Sequence, residues 1–201
     1  DYAPLPPNCN LWRNWDDIEC NWKSIKSIMD KFGNETKWAE YAGPGHWNDA
    51  DMIVAGLKGG SLTEDESKSH FAIWSILASP LIMSNDLREL PEWAVKILRN
   101  KEIIAVDQDV MGKQGIRITP FEETRSVWAR PLANGDVAVA LHNHGEEVVD
   151  IPLDFKIIGN KMKYSLRDLY EHEELGEFEG RYVAKSVPVH GVQMLRLTPI
   201  A

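Results

Sequence analysis

The sequence predicts two structural classes in succession, an α/β segment and then an antiparallel β-sandwich. Up to residue 113, short apolar stretches alternate with amphipathic helical ones, which is the order of βα units around a parallel sheet. Beyond residue 113, four stretches alternate apolar and polar residues with period two, and turn residues separate them. We therefore expect one domain at residues 1–113 and a second at residues 114–201.

Three helices are predicted in the first domain, at residues 16–31, 63–78 and 87–99. The first has apolar residues three and four positions apart, which gives it one buried face. It would begin at Asp16 and Asp17, because carboxylates favour the positive end of the helix dipole. The second opens with the Thr-x-x-Glu pattern of a capping box.

Short extended segments at residues 10–13, 40–43 and 80–84 separate these helices and are expected to form parallel strands. A complete (β/α)8 barrel takes about 250 residues, or roughly 31 per unit, so residues 1–113 have room for about three units. Three parallel strands with open edges make an unstable sheet. We therefore expect further barrel strands to complete it, from a preceding segment or from another chain.

The second domain is expected to contain strands at residues 125–131, 136–142, 147–153 and 192–197. The turn signals are Asn134-Gly135, His144-Gly145, Gly159-Asn160, Gly180 and Gly191. A Glu-rich stretch at residues 171–179 is expected to be a solvated turn.

The composition limits the classes of function. Hydrophobic residues are 43% of the 201 residues, enough for a sizeable core, and the formal net charge is −9. Nucleic-acid binding needs clustered Lys and Arg, so an acidic chain argues against it. No apolar run approaches the roughly 20 residues of a membrane-spanning helix. Among the tryptophans we expect Trp74 and Trp128 in the core, while Trp12 and Trp15 fit either a core or a sugar-binding surface.

Polar side chains cluster just after each predicted strand, at residues 9–17, 42–52 and 80–87. In barrel enzymes the reacting groups lie where the strands end. Carboxylates and amides bind sugar hydroxyls, aromatic faces pack on sugar C–H groups, and glycosidic cleavage needs two carboxyls. The pattern therefore favours carbohydrate chemistry.

Four stretches resemble successive motifs of the glycoside hydrolase family that contains α-galactosidase and α-N-acetylgalactosaminidase. They are CNLWRNWDDI, AGPGHWNDADM, ASPLIMSNDLR and VDQDVMGKQG, and the later VPVHGVQMLRL resembles the family's last strands. The resemblance covers nearly the whole chain in the right order. It implies the last three βα units of a (β/α)8 barrel followed by an antiparallel β-sandwich. It also implies a retaining exo-glycosidase for terminal α-linked galactose or N-acetylgalactosamine, without a cofactor, as a homodimer in a lysosomal or secreted location.

The same resemblance assigns roles to individual residues. Asp17 matches the general acid/base, and Arg13 matches the arginine that binds sugar hydroxyls near the nucleophile. Asp51 and Met52 match substrate-pocket positions, and Trp47 is expected to form a wall of the site. The family nucleophile is an Asp in a K-x-D context on an earlier strand, and these 201 residues contain no such segment.

Other readings of these residues compete with the catalytic one. Asp17 also fits a helix-capping role, and Asp49 with Asp51 fits a metal pair, although no set of His and Cys ligands accompanies them. His142 and His144 have a spacing that can hold zinc but is more often one face of a strand. The alternative for the whole chain is a non-catalytic carbohydrate-binding or interaction protein that has lost the half with the nucleophile.

Two further features concern covalent chemistry. Cys9 matches a family cysteine whose disulfide partner lies upstream, so we expect it to be unpaired in this chain. Cys20 falls inside the first predicted helix, and a Cys9–Cys20 bond would need Cα atoms within about 7 Å, which a strand-to-helix connection disfavours. The sequon at Asn34 is compatible with N-glycosylation.

Overall fold

The computed structural model describes residues 2–120, 124–159 and 162–200. The helices are α1 (Trp22–Asn34), α2 (Glu64–Leu77), α3 (Glu92–Leu98) and α4 (Lys101–Asp107), with 3-10 turns at Thr36–Glu40 and Phe155–Ile157. The strands are β1 (Leu11–Arg13), β2 (Trp47–Asp49), β3 (Ile116–Arg117), β4 (Arg125–Pro131), β5 (Val137–Asn143), β6 (Val149–Asp154), β7 (Lys163–Asp168), β8 (Glu173–Glu179), β9 (Arg181–Val187) and β10 (Val192–Pro199).

The first part of the chain is a fragment of parallel sheet covered by helices. β1 and β2 pair in parallel, with Arg13 opposite Asp49, and a parallel bridge joins Ile53 to Met83. The α/β prediction is confirmed, but the strand expected at 40–43 is wrong, because the chain turns there and the strand forms at β2. The strand expected at 80–84 is reduced to the bridge at Met83.

Helix α1 begins six residues later than predicted, because Asn21 caps it. The Asn21 side chain accepts a hydrogen bond from the Ser24 amide at 2.9 Å, and this satisfies a free donor of the first turn. Asp16, Asp17 and Cys20 therefore lie in the loop between β1 and α1, and placing them at the start of the helix or within it was wrong.

The other helices follow the predictions more closely. Helix α2 has the expected capping box between Thr63 and Glu66. The third predicted helix is shorter than expected, since α3 begins after Pro91, and helix α4 was not predicted.

The second part of the chain is an antiparallel sandwich, as predicted. A six-stranded sheet has the order β3-β4-β5-β10-β7-β8, and a two-stranded sheet is formed by β6 and β9. The Glu-rich stretch is not a turn but the edge strand β8, paired with β7. Gly135 and Gly180 turn the chain with φ of +90° and +74°, as their positions between strands predicted. The turn signal at Gly159-Asn160 lies partly outside the described residues.

Alternation along the central strands separates two hydrophobic cores. Val139 and Leu141 of β5 face the two-stranded sheet, whereas Ala138 and Ala140 of the same strand face α2 and its neighbours. Trp74 and Trp128 belong to the core beside α2, where they are 0% and 1% exposed. This confirms their prediction as core residues. The core beside α2 contains residues from both sides of position 113. The division into two domains at residue 113 therefore stays a prediction.

Candidate active site

Arg13 joins two carboxylates at the ends of the parallel strands. It is the last residue of β1, and its Nη2 lies 3.1 Å from Asp17 Oδ1 and 2.7 Å from Asp51 Oδ2. Asp51 follows the end of β2 by two residues. The structure therefore brings together three of the residues that the sequence placed in one site, across 38 positions of chain.

The Asp51 carboxylate is held in a fixed position. Besides Arg13, it accepts hydrogen bonds from the Ile18 amide on Oδ2 and from the Met52 amide on Oδ1, both at 2.8 Å. Three donors, two of them backbone amides, fix the direction of the carboxylate. The side chain is only 11% exposed. Such a carboxylate is suited to bind a hydroxyl group rather than to attack a carbon atom.

The backbone at Asp51 adopts the left-handed region, with φ of +78°, which is uncommon outside glycine. Its amide donates to Asp49 Oδ1 at 2.8 Å, and its carbonyl accepts from the buried Trp74 indole at 2.7 Å. These contacts hold the unusual conformation, and backbone strain of this kind is typical of functional sites. Burial raises the pKa of Asp49, which the neighbouring amide and Arg13 partly counteract.

A buried amide network supports the two strand ends from below. Asn48 Oδ1 accepts from Trp12 Nε1 at 2.7 Å and from Asn14 Nδ2 at 2.8 Å, and Asn48 Nδ2 donates to Trp38 O and Gln114 Oε1. Asn48 thus uses its full hydrogen-bonding capacity. Sequence reasoning missed this role, although the amide follows directly after a strand residue in the GHWND motif.

The remaining predicted residues lie in different surroundings. The Asp17 side chain is 99% exposed and pairs with Arg13, whereas Met52 is half-buried beside Asp51. Trp47 stands at the other end of β2 and lines a separate cavity of about 400 Å³ with Pro44 and Asp107. Burial raises the pKa of Asp107 to about 6.

The competing readings can be compared with the same geometry. The described residues contain no group of three or more His, Cys, Asp or Glu side chains arranged to hold a metal ion. His142 and His144 are both buried, with their rings stacked 5.5 Å apart at the end of β5. Cys9 and Cys20 are both free thiols. Asn34 is exposed at the end of α1, and its Oδ1 accepts a hydrogen bond from Arg117.

No helix within residues 2–120, 124–159 and 162–200 is both long and apolar enough to cross a membrane.

Comparison with known proteins identifies both parts of the chain. A family model described as Alpha galactosidase A matches residues 1–109, and one described as Alpha galactosidase C-terminal beta sandwich domain matches residues 122–197.

Individual relatives are similar over most of this chain. Alpha-galactosidase 2 of Arabidopsis thaliana is 39% identical over 94% of this chain and 46% of its own length. Alpha-N-acetylgalactosaminidase of Gallus gallus is 37% identical over 92% of this chain and 44% of its own. Among solved structures, a GH27 β-L-arabinopyranosidase from Geobacillus stearothermophilus superposes with a TM-score of 0.89 at 28% identity, over all of this chain and 47% of that one. The chain thus spans less than half the length of these relatives.

Proposed function

The chain belongs to the α-galactosidase A family, and from this premise we propose that it is the C-terminal portion of a retaining exo-glycosidase. The proposed substrates carry a terminal α-linked galactose or N-acetylgalactosamine on a glycolipid, glycoprotein or oligosaccharide. The observation that carries the proposal is the Arg13 guanidinium, which links Asp17 to Asp51 where two parallel strands end.

In this proposal Asp17 is the general acid/base. A retaining glycosidase needs one carboxyl that protonates the leaving oxygen and then removes a proton from the incoming water. The exposed Asp17 carboxyl can reach a substrate, whereas the enclosed Asp51 carboxylate is already bound by three donors. Arg13, Asp51 and Met52 would bind the sugar, with no cofactor taking part.

The second carboxyl, the nucleophile, would come from the N-terminal half of the barrel. Two features support a docking surface for that half. Within the described residues, β1 pairs with β2 alone, so its other edge is open. Apolar side chains lie exposed near the strand ends, including Leu11 at 41%, Ile82 at 53% and Leu87 at 70%. Unpaired edges and apolar patches are normally covered in a stable protein.

Docking of the N-terminal half over Asp17 would also allow Asp17 to act as a general acid. A general acid must still carry its proton when the substrate arrives, and proteins achieve this with burial or a nearby negative charge. A docked N-terminal half that brings the nucleophilic carboxylate would supply both. We therefore propose that the 201-residue chain alone does not hydrolyse these glycosides. A homodimer, a lysosomal or secreted location, glycosylation of Asn34 and an upstream disulfide partner for Cys9 are parts of the same proposal.

The test uses the full-length protein that contains this chain, with Asp17→Asn and, as the matched control, its exposed neighbour Asp16→Asn. Nitrophenolate leaves readily without a proton, whereas methoxide does not. Asp17→Asn should therefore slow hydrolysis of methyl α-galactoside by about 10²–10⁴-fold and slow nitrophenyl α-galactoside less. Asp16→Asn should stay within a few-fold of the parent on both substrates.

Equal rates for the parent and Asp17→Asn on methyl α-galactoside would refute the acid/base assignment. Hydrolysis of the nitrophenyl substrate by the pure 201-residue chain would refute the need for an outside nucleophile. Repeating both assays with N-acetyl-α-galactosaminides decides between the two proposed sugars.

A further inference from the structure

His190 connects the two parts of the chain through contacts that include none of Arg13, Asp17 and Asp51. It lies in the turn before β10, and its Nδ1 is 2.7 Å from Glu66 Oε1 on α2. Its Nε2 is 3.2 Å from Glu146 Oε1, in the loop after β5. The His190 side chain is 13% exposed and that of Glu66 is 9% exposed, so this first contact is largely removed from water.

The remaining contacts hold the ring between these carboxylates. The indole of Trp22, on α1, stacks on the imidazole with centroids 4.4 Å apart and planes 19° apart. The Ser69 hydroxyl on α2 donates to the His190 carbonyl at 2.6 Å. The backbone of His190 is left-handed, with φ of +56°. Contacts from α1, α2 and the loop after β5 therefore meet on one imidazole.

We propose that His190 is a pH-sensitive clamp between helix α2 and the sandwich, closed when its ring carries a proton on both nitrogens. An ionised carboxylate only accepts hydrogen bonds, so each contact needs a proton on the imidazole nitrogen. A neutral imidazole has one such proton and satisfies one carboxylate, whereas the imidazolium satisfies both. The face of Trp22 also attracts a cation more than a neutral ring. Loss of the second proton at higher pH therefore weakens the clamp, and the range between about pH 5 and pH 8, where histidines ordinarily change charge, is the range to test.

Other titratable and charged groups lie around this cluster. His142 of β5 meets the Trp22 ring edge-on with centroids 5.9 Å apart, and His144 stacks on His142. Burial, assisted by nearby positive charge, lowers the pKa of His142 well below its ordinary value, and burial also lowers the pKa of His144. From α1, Lys26 adds positive charge, but Asp30 pairs with it at 2.5 Å. Glu66 and Glu146 are the acidic groups in direct contact.

The test compares thermal unfolding of the 201-residue chain at pH 5.5 and pH 8. His190→Asn removes the ring but keeps a residue type that tolerates a left-handed backbone. The control is His172→Asn. His172 is also left-handed, at φ +59°, and meets a carboxylate, Glu102, but is 54% exposed and does so through one nitrogen.

We expect His190→Asn to lower the Tm by about 3 °C more at pH 5.5 than at pH 8. His172→Asn should show a smaller difference between the two pH values. A drop for His190→Asn that is the same at both pH values would overturn the clamp.

If His190→Asn does not fold, a second variant and a direct measurement can still test the proposal. Glu146→Gln can donate to a neutral imidazole as well as accept from a charged one, so it should flatten the pH dependence of the Tm. Imidazole ¹⁵N NMR of the unaltered chain should show both His190 nitrogens protonated at pH 5.5 and one at pH 8. A neutral ring at pH 5.5 would also overturn the proposal.

Discussion

Replacing Asn48 by alanine should destabilise the fold strongly, although the residue carries no charge and performs no chemistry. The side chain is 2% exposed and makes four hydrogen bonds of 2.7–2.8 Å, with Trp12, Asn14, Trp38 and Gln114. Alanine removes all four bonds and leaves Trp12 Nε1, Asn14 Nδ2 and Gln114 Oε1 without a partner, whereas Trp38 O still accepts from the Tyr41 amide. At about 1 kcal/mol for each bond, the free energy of unfolding should fall by about 4 kcal/mol. The Tm would then fall by about 8–16 °C.

Urea unfolding followed by tryptophan fluorescence measures this loss. Asn8→Ala is the control, because Asn8 makes one exposed hydrogen bond to Pro4 and should change stability by less than about 0.5 kcal/mol. Asn48→Asp tests whether stability depends on Asn48 acting as a donor to Trp38 and Gln114. Its second oxygen would face two acceptors, Trp38 O and Gln114 Oε1, so this variant should recover stability as the pH falls and the new carboxyl gains a proton. A loss below about 1 kcal/mol for Asn48→Ala would refute the network as the support of the strand ends.

Three further predictions concern stability. Burial lowers the pKa of His70 to about 3, below its unfolded value of 6.5, so its contribution to stability is lost as the pH falls. His70→Phe has no such group to protonate. Between pH 7 and pH 4.5 its free energy of unfolding, measured in urea titrations, should therefore rise relative to that of the parent by about 3 kcal/mol. Gly56→Ala should cost about 1–3 kcal/mol more than Gly59→Ala, since both are left-handed but a Cβ at Gly56 would lie 2.4 Å from Ala94 Cβ while Gly59 faces open space. Thr63→Ala removes the acceptor of the capping box on α2 and should cost about 1 kcal/mol in the same urea assay, whereas Thr63→Ser should cost less.

The sequence predicted several elements from their apolar periodicity but missed others, among them strand β7, whose burial alternates along Lys163–Asp168. Strand β4 occupies the predicted residues 125–131, because Val127 and Trp128 face different cores and leave a clear alternation. Strand β8 is an edge strand with mostly exposed side chains, and only Leu175 and Phe178 pack against the core. Its glutamates hide this weak apolar signal, so its pairing with β7 is what defines it. Strand β2 has three residues, too few for any periodicity to appear.

The start of α1 illustrates a different kind of error. The apolar spacing of Trp22, Ile25 and Ile28 was right, and Ile18 extended it falsely by one turn. Two adjacent carboxylates then looked like a helix start, although Asn21 is an equally good cap directly before the periodic stretch. Choosing the cap adjacent to the first residue of the buried face would have placed Asp17 in the loop, where the structure has it.

The candidate site contains one carboxylate that is enclosed by its own chain and one that is exposed. The Asp51 carboxylate is 11% exposed and accepts from three donors of its own chain, and Asn48 and Trp74 hold the backbone around it. Asp17, tied to the same Arg13, is 99% exposed. One guanidinium thus links an enclosed carboxylate with an exposed one. Under our proposal the fold builds sugar recognition locally around Asp51 and leaves proton transfer to be completed when a second half of the barrel closes over Asp17.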